Sequence, residues 1–172
     1  MKPETITKQI FKIIPALLLV ALSAFLLQGD VWTFWTWYLL ALVMGVAAMP
    51  LTGRLFRRFQ DRGWMFSKVT AIAVSGFLTW FLVAVKIIKF TTGTCIVVTL
   101  VCAAASLILY CREQKAGFEC IPFVHLDLVY AEELLFFAAF LLWTYFAGFH
   151  PAAYGTEKFM DYGFMEAMMR SK

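Results

Sequence analysis

The stretch Ile10–Leu27, reading IFKIIPALLLVALSAFLL, decides the class of fold, because only Lys12, Pro15 and Ser23 interrupt its apolar side chains. As an α-helix it is long enough to cross the roughly 30 Å of hydrocarbon in a bilayer. The whole chain has this character: 62% of its 172 residues are hydrophobic, 15% are charged and the mean hydropathy is +0.79. Soluble domains carry charge on about a quarter of their residues. The sequence therefore predicts a polytopic membrane protein.

Four further apolar stretches follow the first, each bounded by turn residues or by charge. The five predicted spans are about 10–27, 31–49, 69–85, 95–110 and 123–146. Pro50 and Gly53 are expected to end the second span. The predicted fold is all-α: a transmembrane bundle of about five helices over residues 1–150, followed by an external, amphipathic interfacial helix within residues 151–172.

The first span has an alternative interpretation as a cleaved signal peptide, since Ala21 and Ser23 are small residues near its end. Its apolar run is long for the hydrophobic core of a signal peptide, and this favours an uncleaved first span. The predicted orientation of the remaining spans is the same in both cases.

Basic residues decide the predicted orientation. Residues 51–68 carry five of them, namely Arg54, Arg57, Arg58, Arg62 and Lys68, against the single acid Asp61. With the N-terminus inside, ten of the fifteen Lys and Arg residues lie on the cytoplasmic side, in agreement with the positive-inside rule. The chain is therefore expected in the cell membrane, with a cytoplasmic N-terminus and an extracytoplasmic C-terminus. Because the basic residues cluster at span ends, the expected partner is the lipid bilayer and no nucleic acid.

The terminal stretch Gly155–Lys172, reading GTEKFMDYGFMEAMMRSK, combines acids, bases and aromatic residues outside the predicted spans. Glu157 and Asp161 fall one turn apart on one face of a helix, and Glu166 precedes Arg170 at the i, i+4 spacing of a helix-stabilising ion pair. Phenylalanine and methionine side chains supply apolar bulk. This pattern predicts a short helix at the membrane interface.

The charged residues of this terminal helix have more than one interpretation. As catalytic groups, Glu157 and Asp161 could serve as acid and base, or together bind a divalent cation that holds a phosphate. Lys158 could bind the phosphate as a point charge. Alternatively, acids in a first turn simply suit the helix dipole and face water. The identity of any metal is open.

Two acids, Glu132 and Glu133, lie within the fifth predicted span, where a charge costs several kcal/mol unless it is neutralised, paired or hydrated. His125 precedes Glu132 by seven residues and so shares its helix face. One interpretation is an ion, proton or substrate contact inside the bundle. The other is a protonated glutamate that hydrogen-bonds the Ser- and Thr-bearing faces of the third and fourth spans.

Several known enzyme classes are excluded by their motifs. The sequence contains no P-loop, no G-x-S-x-G, no H-E-x-x-H and no dinucleotide-binding fingerprint. Any catalysis must therefore depend on residues outside these patterns.

Four stretches are similar to those of a known family. They are 61–68 (DRGWMFSK), 76–80 (GFLTW), 132–136 (EELLF) and 155–161 (GTEKFMD). They resemble the YYY membrane protein family, also described as the Chlor_Arch_YYY domain, and the similarity runs in order from the second span to the last residue. Members continue past this helix into a Pro- and Trp-containing loop and a Tyr-Tyr-Tyr segment. The chain is therefore expected to be a fragment, a truncated product or one subunit of a split protein.

At fold level, the YYY family resembles the GT-C type of multi-pass glycosyltransferase. Those enzymes take sugar from a polyprenyl-phosphate donor and place an acidic residue in their first large external loop. The resemblance implies that Asp161 or Glu157 occupies that position, and that the chain alone is incomplete as an enzyme.

Three hypotheses follow. The leading one is a glycosyltransferase-like module acting on lipid-linked sugar, with Asp161 and Glu157 as catalytic residues and Lys158 on phosphate. The second is a non-catalytic scaffold whose terminal helix docks a partner membrane chain. The third is a transporter fragment in which Glu132 and Glu133 contact the substrate.

Overall fold

The computed structural model of the protein describes residues 3–117, 125–149 and 158–170, with side chains described in these ranges except at 3–12 and 158–160. The helices are α1 (Pro3–Leu27), α2 (Val31–Leu55), α3 (Trp64–Ala84), α4 (Thr92–Lys115), α5 (Leu126–Gly148) and α6 (Lys158–Arg170), and a 3-10 turn, Gln28–Asp30, joins α1 to α2. No strand occurs in the described ranges. The prediction of an all-α membrane bundle is confirmed.

Three helical segments of the described chain are long and apolar enough to cross a membrane. They are Ile13–Leu55, Trp64–Ala84 and Thr92–Lys115. The first segment contains most of α1 and all of α2, which are separated where Gln28 adopts the left-handed region (φ 43°). That α5 also crosses the bilayer stays a prediction.

The path of α2 corrects one expectation. Pro50 and Gly53 do not end the second helix, which continues through both to Leu55. A proline inside a helix loses a backbone hydrogen bond and costs about 3 kcal/mol. Here Pro50 and Gly53 are buried, as are their neighbours Met49 and Thr52. Because this end of α2 packs inside the bundle, tertiary contacts offset the local cost and the helix continues.

The hairpin of α2 and α3 is the centre of the bundle, and α4 and α5 both pack on it. Gly45 lets the two hairpin helices approach closely, since a Cβ atom there would lie 2.8 Å from Cγ of Lys68 and 2.9 Å from Oγ of Ser67. On the α5 side, Phe34 and Tyr38 of α2 form a buried cluster with Phe137 and Leu141. This cluster sets the orientation of α5.

Two arginines and a glutamate mark one end of the bundle. Arg54, in the last turn of α2, and Arg57, just after that helix, lie 2.8 and 3.4 Å from the carboxylate of Glu113, near the C-terminal end of α4. These ends of α2 and α4 therefore lie together, and we call this part of the molecule the basic end. The C-terminus of α3 and the N-terminus of α4 lie at the opposite end, the far end.

The aromatic residues that open α2 divide between two environments. Trp32 is 80% exposed, as expected of a side chain at a membrane interface. Tyr38 is instead buried, and its ring packs edge-on against Phe137 at 4.8 Å between centroids. Only part of this aromatic group therefore faces outward.

Candidate functional site

Glu133 of α5 is the centre of a buried polar cluster. Its Oε1 atom accepts a hydrogen bond from the Tyr38 hydroxyl at 2.7 Å. Its Oε2 atom accepts one from the Trp64 indole N–H at 2.9 Å and lies 2.6 Å from Nζ of Lys68. The donors belong to α2 and α3, so one carboxylate connects three helices. Such multiple donation is what an ionised carboxylate needs when it leaves water.

Lys68 is the cation of this cluster, and it is only 2% exposed. Its ammonium lies 4.7 Å from the centre of the Trp64 ring and 4.5 Å from that of Phe136. Cation–π contacts of this kind add to the attraction of the carboxylate where water is excluded. Removing either charge would take from the other its directly paired counter-ion.

Helix periodicity explains why these residues meet. Trp64 and Lys68 are four residues apart in the first turns of α3 and so share one face. Glu133 and Phe136 are three apart on α5 and share another. The absence of a side chain at Gly45 provides the space that the stem of Lys68 occupies.

Glu132 lies next to this cluster and faces a different partner. Its carboxyl group lies near that of Asp61, with Lys68 also nearby. Asp61 is 5% exposed and accepts a hydrogen bond of 3.5 Å from the backbone N–H of Met65. Two neighbouring carboxylates repel each other, and the positive charge of Lys68 offsets part of this repulsion. The Oε2 atom of Glu132 is buried and has no hydrogen-bond partner within the described ranges.

A second feature, an apolar groove, lies between α2, α3 and α4 toward the far end. Its volume is about 680 Å³, and its lining includes Trp37, Met44, Gly76, Trp80, Phe90 and Met168. Three hydroxyl groups also line it, on Ser75, Thr79 and Thr99. Each donates to a backbone carbonyl of its own helix, at 2.7, 2.8 and 2.8 Å respectively. The groove therefore presents a hydrocarbon surface.

Helix α6 reaches the groove through Met168. Asp161 precedes Met168 by seven residues, which is about two helical turns, so both lie on the same face of α6. Asp161 is exposed. The predicted pair of Glu166 and Arg170 is confirmed, at 2.9 Å.

A comparison with known protein families found a match that covers the C-terminal part of the chain. The uncharacterized membrane protein family DUF2298 matches residues 74–172, more than half of the chain. The chain belongs to the DUF2298 family. The match contains α4, α5, α6 and part of α3, and therefore includes Glu132, Glu133 and Asp161. No curated protein and no solved structure matches the chain.

In this DUF2298 protein the predicted site residues fall in different places. Glu133 faces the bundle interior, as one interpretation expected, but its partners are Lys68, Trp64 and Tyr38 rather than Ser and Thr side chains. Lys68, which the sequence suggested only as an orientation signal, is the residue that the sequence reasoning missed. Substrate contact by Glu132 and Glu133 stays a prediction.

The predicted terminal site is only partly described. Glu157 lies outside the described residues, and Lys158 is the first residue of α6, with its side chain outside the description. Within the described ranges, no group of three or more His, Cys, Asp or Glu side chains is arranged to hold a metal ion. A divalent cation held jointly by Glu157 and Asp161 therefore stays a prediction.

Proposed function

We propose that this DUF2298 protein is a membrane module of a GT-C-like, YYY-type glycosyltransferase that acts on a lipid-linked sugar. The observation that carries the proposal is the position of Asp161: it shares a helix face with Met168, and Met168 lines the apolar groove. An exposed carboxyl group thus lies about two helical turns along α6 from a side chain of the groove lining. A lipid-linked sugar needs this combination, because its two ends differ in polarity.

The predicted orientation of the chain in the membrane supports the same proposal. Under the positive-inside rule, the basic end with Arg54 and Arg57 is cytoplasmic, and the far end, where Met168 lies, is extracytoplasmic. Asp161 would then meet a lipid-linked sugar in the outer leaflet.

In the proposed reaction, Asp161 takes the proton of an acceptor hydroxyl while the acceptor oxygen forms a bond to the sugar carbon. The bond from that carbon to the lipid-phosphate oxygen breaks, and the lipid phosphate leaves. Lys158 would bind the phosphate, and Glu157 would assist as the second carboxylate.

The test uses membrane vesicles containing the protein and a polyprenyl phosphate carrying a radiolabelled hexose. Asp161→Asn is expected to slow consumption of the labelled donor by about 100-fold or more, the contribution of a general base. Glu166→Gln is the control, since this side chain lies on the same helix but binds Arg170. Equal consumption by Asp161→Asn and the unchanged protein would refute the assignment.

A second candidate function is proton-linked transport through the polar cluster. It is favoured by the buried Oε2 atom of Glu132, which has no hydrogen-bond partner in the described ranges, and by the neighbouring carboxyl group of Asp61. In proteoliposomes, Glu132→Gln would then abolish a proton flux that Asp161→Asn leaves intact. If the unchanged protein produces no flux above that of empty liposomes, this candidate fails.

A further inference from the structure

We infer that the outer surface of the basic end binds the phosphate head groups of anionic phospholipids in the adjoining leaflet. This surface consists of the loop 56–63, the last turn of α2 before it and the C-terminal turns of α4. The inference goes beyond the proposed function and is independent of it, because neither α6 nor the apolar groove takes part.

The cations of the basic end face outward, whereas the acids near them are withdrawn from the surface. Arg54 and Arg57 are half exposed, but Glu113, which pairs with both, is only 13% exposed. Asp61, the acid of the loop, is buried. Further exposed cations of this end are Arg58, Arg112 and Lys115. The outer surface formed by these residues is therefore positive, although acids lie close by in the sequence.

The loop 56–63 lies close to the lipid head groups because of the two helices that it joins. The segments on either side of it, Ile13–Leu55 and Trp64–Ala84, are both long and apolar enough to cross a membrane. A chain of this length that leaves the interface and returns to it extends by at most about 14 Å. Backbone hydrogen bonds from Phe59 to Phe56 and from Arg62 to Phe59 fold the loop into turns and shorten its reach further.

The backbone that carries the loop arginines has a fixed shape of its own. Arg62 and Gly63 both adopt left-handed conformations, with φ of 53° and 76°. A Cβ atom at position 63 would lie 2.6 Å from the ring of Phe56, so the loop closes tightly against that ring. Nη1 of Arg62 also donates a hydrogen bond of 2.8 Å to the carbonyl of Arg57. Binding to an ordered loop loses less conformational entropy than binding to a flexible linker.

The cations of the α2 end and the loop are all arginines, whose planar guanidinium groups bind phosphate with two parallel hydrogen bonds. Glu113 holds the guanidinium groups of Arg54 and Arg57 side by side. Arg58 is exposed, and its side chain has no hydrogen-bond or ion-pair partner within the residues that the structure describes. The Arg58 side chain is therefore the most available donor to a phosphate.

Exposed apolar side chains next to the arginines favour a lipid over other phosphate-bearing partners. Leu55 and Phe66 are exposed, and so is Phe59, whose ring is held edge-on against that of Phe56. A phospholipid supplies phosphate for the arginines and hydrocarbon for these side chains. A nucleic acid would supply phosphate but would leave the apolar side chains in water.

The test counts the lipids that remain bound to the full chain, in dodecyl maltoside micelles, by native mass spectrometry. The probes are dioleoylphosphatidylglycerol, which is anionic, and dioleoylphosphatidylcholine, which has the same chains and a zwitterionic head group. We expect phosphatidylglycerol to bind with an apparent dissociation constant about tenfold or more below that of phosphatidylcholine. Arg58→Gln should weaken phosphatidylglycerol binding about fivefold, the contribution of one basic residue near an anionic surface.

Matched variants separate this surface from the effect of net charge. Lys89→Gln removes an exposed cation from the far end, changes the net charge equally and should leave phosphatidylglycerol binding unchanged. Arg112→Gln is a second, independent change at the basic end and should weaken binding as Arg58→Gln does. Arg58→Lys keeps the charge and should retain most of the affinity. The unfolding temperature of each variant without added lipid shows whether it is folded.

Three results would overturn the inference. The first is equal affinity of the unchanged protein for the two lipids. The second is equal weakening by Lys89→Gln and Arg58→Gln, because net charge alone would then account for the binding. The third is full competition by glycerophosphoglycerol, the same head group without acyl chains, at a concentration equal to that of the lipid. The ligand of the basic end would then be a soluble phosphate rather than a membrane lipid.

Discussion

Nζ of Lys68 lies 2.6 Å from Oε2 of Glu133, and this contact joins the start of α3 to α5. Lys68 is almost completely buried. The pair is surrounded by donors and aromatic rings that belong to three helices. Its two charges therefore depend on each other, and their removal should be strongly non-additive.

A double-mutant cycle tests this dependence. Lys68→Met and Glu133→Gln should each lower the stability of the folded protein by about 3–5 kcal/mol, because each removes the directly paired counter-ion of a charge that is mostly withdrawn from water. The double variant should lose less than the sum, since neither charge remains. Thermal unfolding in detergent is the measurement. The exposed pair Glu166 and Arg170 is the control, and its disruption should lower the unfolding temperature much less. Additive losses for Lys68 and Glu133 would contradict the described contact.

The hydroxyl of Tyr38 is a separate contributor. Tyr38→Phe removes the 2.7 Å hydrogen bond to Glu133 but keeps the ring in its cluster. Hydrogen bonds to charged groups contribute about 1.5–3 kcal/mol, and a loss of that size is expected. The same change at Tyr162, an exposed residue of α6, should have little effect on the unfolding temperature. An equal effect at both positions would mean that the hydroxyl of Tyr38 contributes nothing specific.

The sequence predicted much of the fold but little of the polar cluster. Long apolar runs identified the helices, because lipid exposure requires apolar side chains. The boundaries were less certain: α2 continues to Leu55, past Pro50, because this end packs inside the protein rather than facing lipid. Hydropathy indicates how much of a helix faces lipid. The helix itself can continue beyond that part, as α2 does.

The contact of Lys68 with Glu133 was not predictable for a different reason. A lysine at the end of a basic loop is typical of a topology signal, and its sequence gives no direction for its side chain. The direction depends on Gly45, which lies on another helix and permits the close approach of α2 and α3. Only the assembled hairpin shows that Lys68 faces inward. The position of Met168 near the groove is likewise a property of the assembled helices.

Two glycine positions provide a paired prediction. Gly45→Ala would place a Cβ atom 2.8 Å from a side-chain carbon of Lys68 and 2.9 Å from Oγ of Ser67. Overpacking of this kind costs about 1–3 kcal/mol, and the unfolding temperature should fall. Gly76→Ala meets open space and improves helix propensity, so it should raise stability by up to about 1 kcal/mol. If the two variants shift the unfolding temperature in the same direction, the described packing of α2 on α3 is wrong.

The last prediction concerns orientation. Cys111 is a free, exposed thiol near the C-terminus of α4, at the basic end. If that end is cytoplasmic, a membrane-impermeant maleimide added to intact cells should leave Cys111 unlabelled and should label it once the membrane is opened.

The variant for this test retains Cys111 as its only cysteine. A matched variant lacks it and carries Met169→Cys, on an exposed position of α6. That thiol should react in intact cells, because α6 lies at the far end. Labelling of Cys111 in intact cells, with protection of the thiol on α6, would reverse the orientation and move Asp161 to the cytoplasmic side.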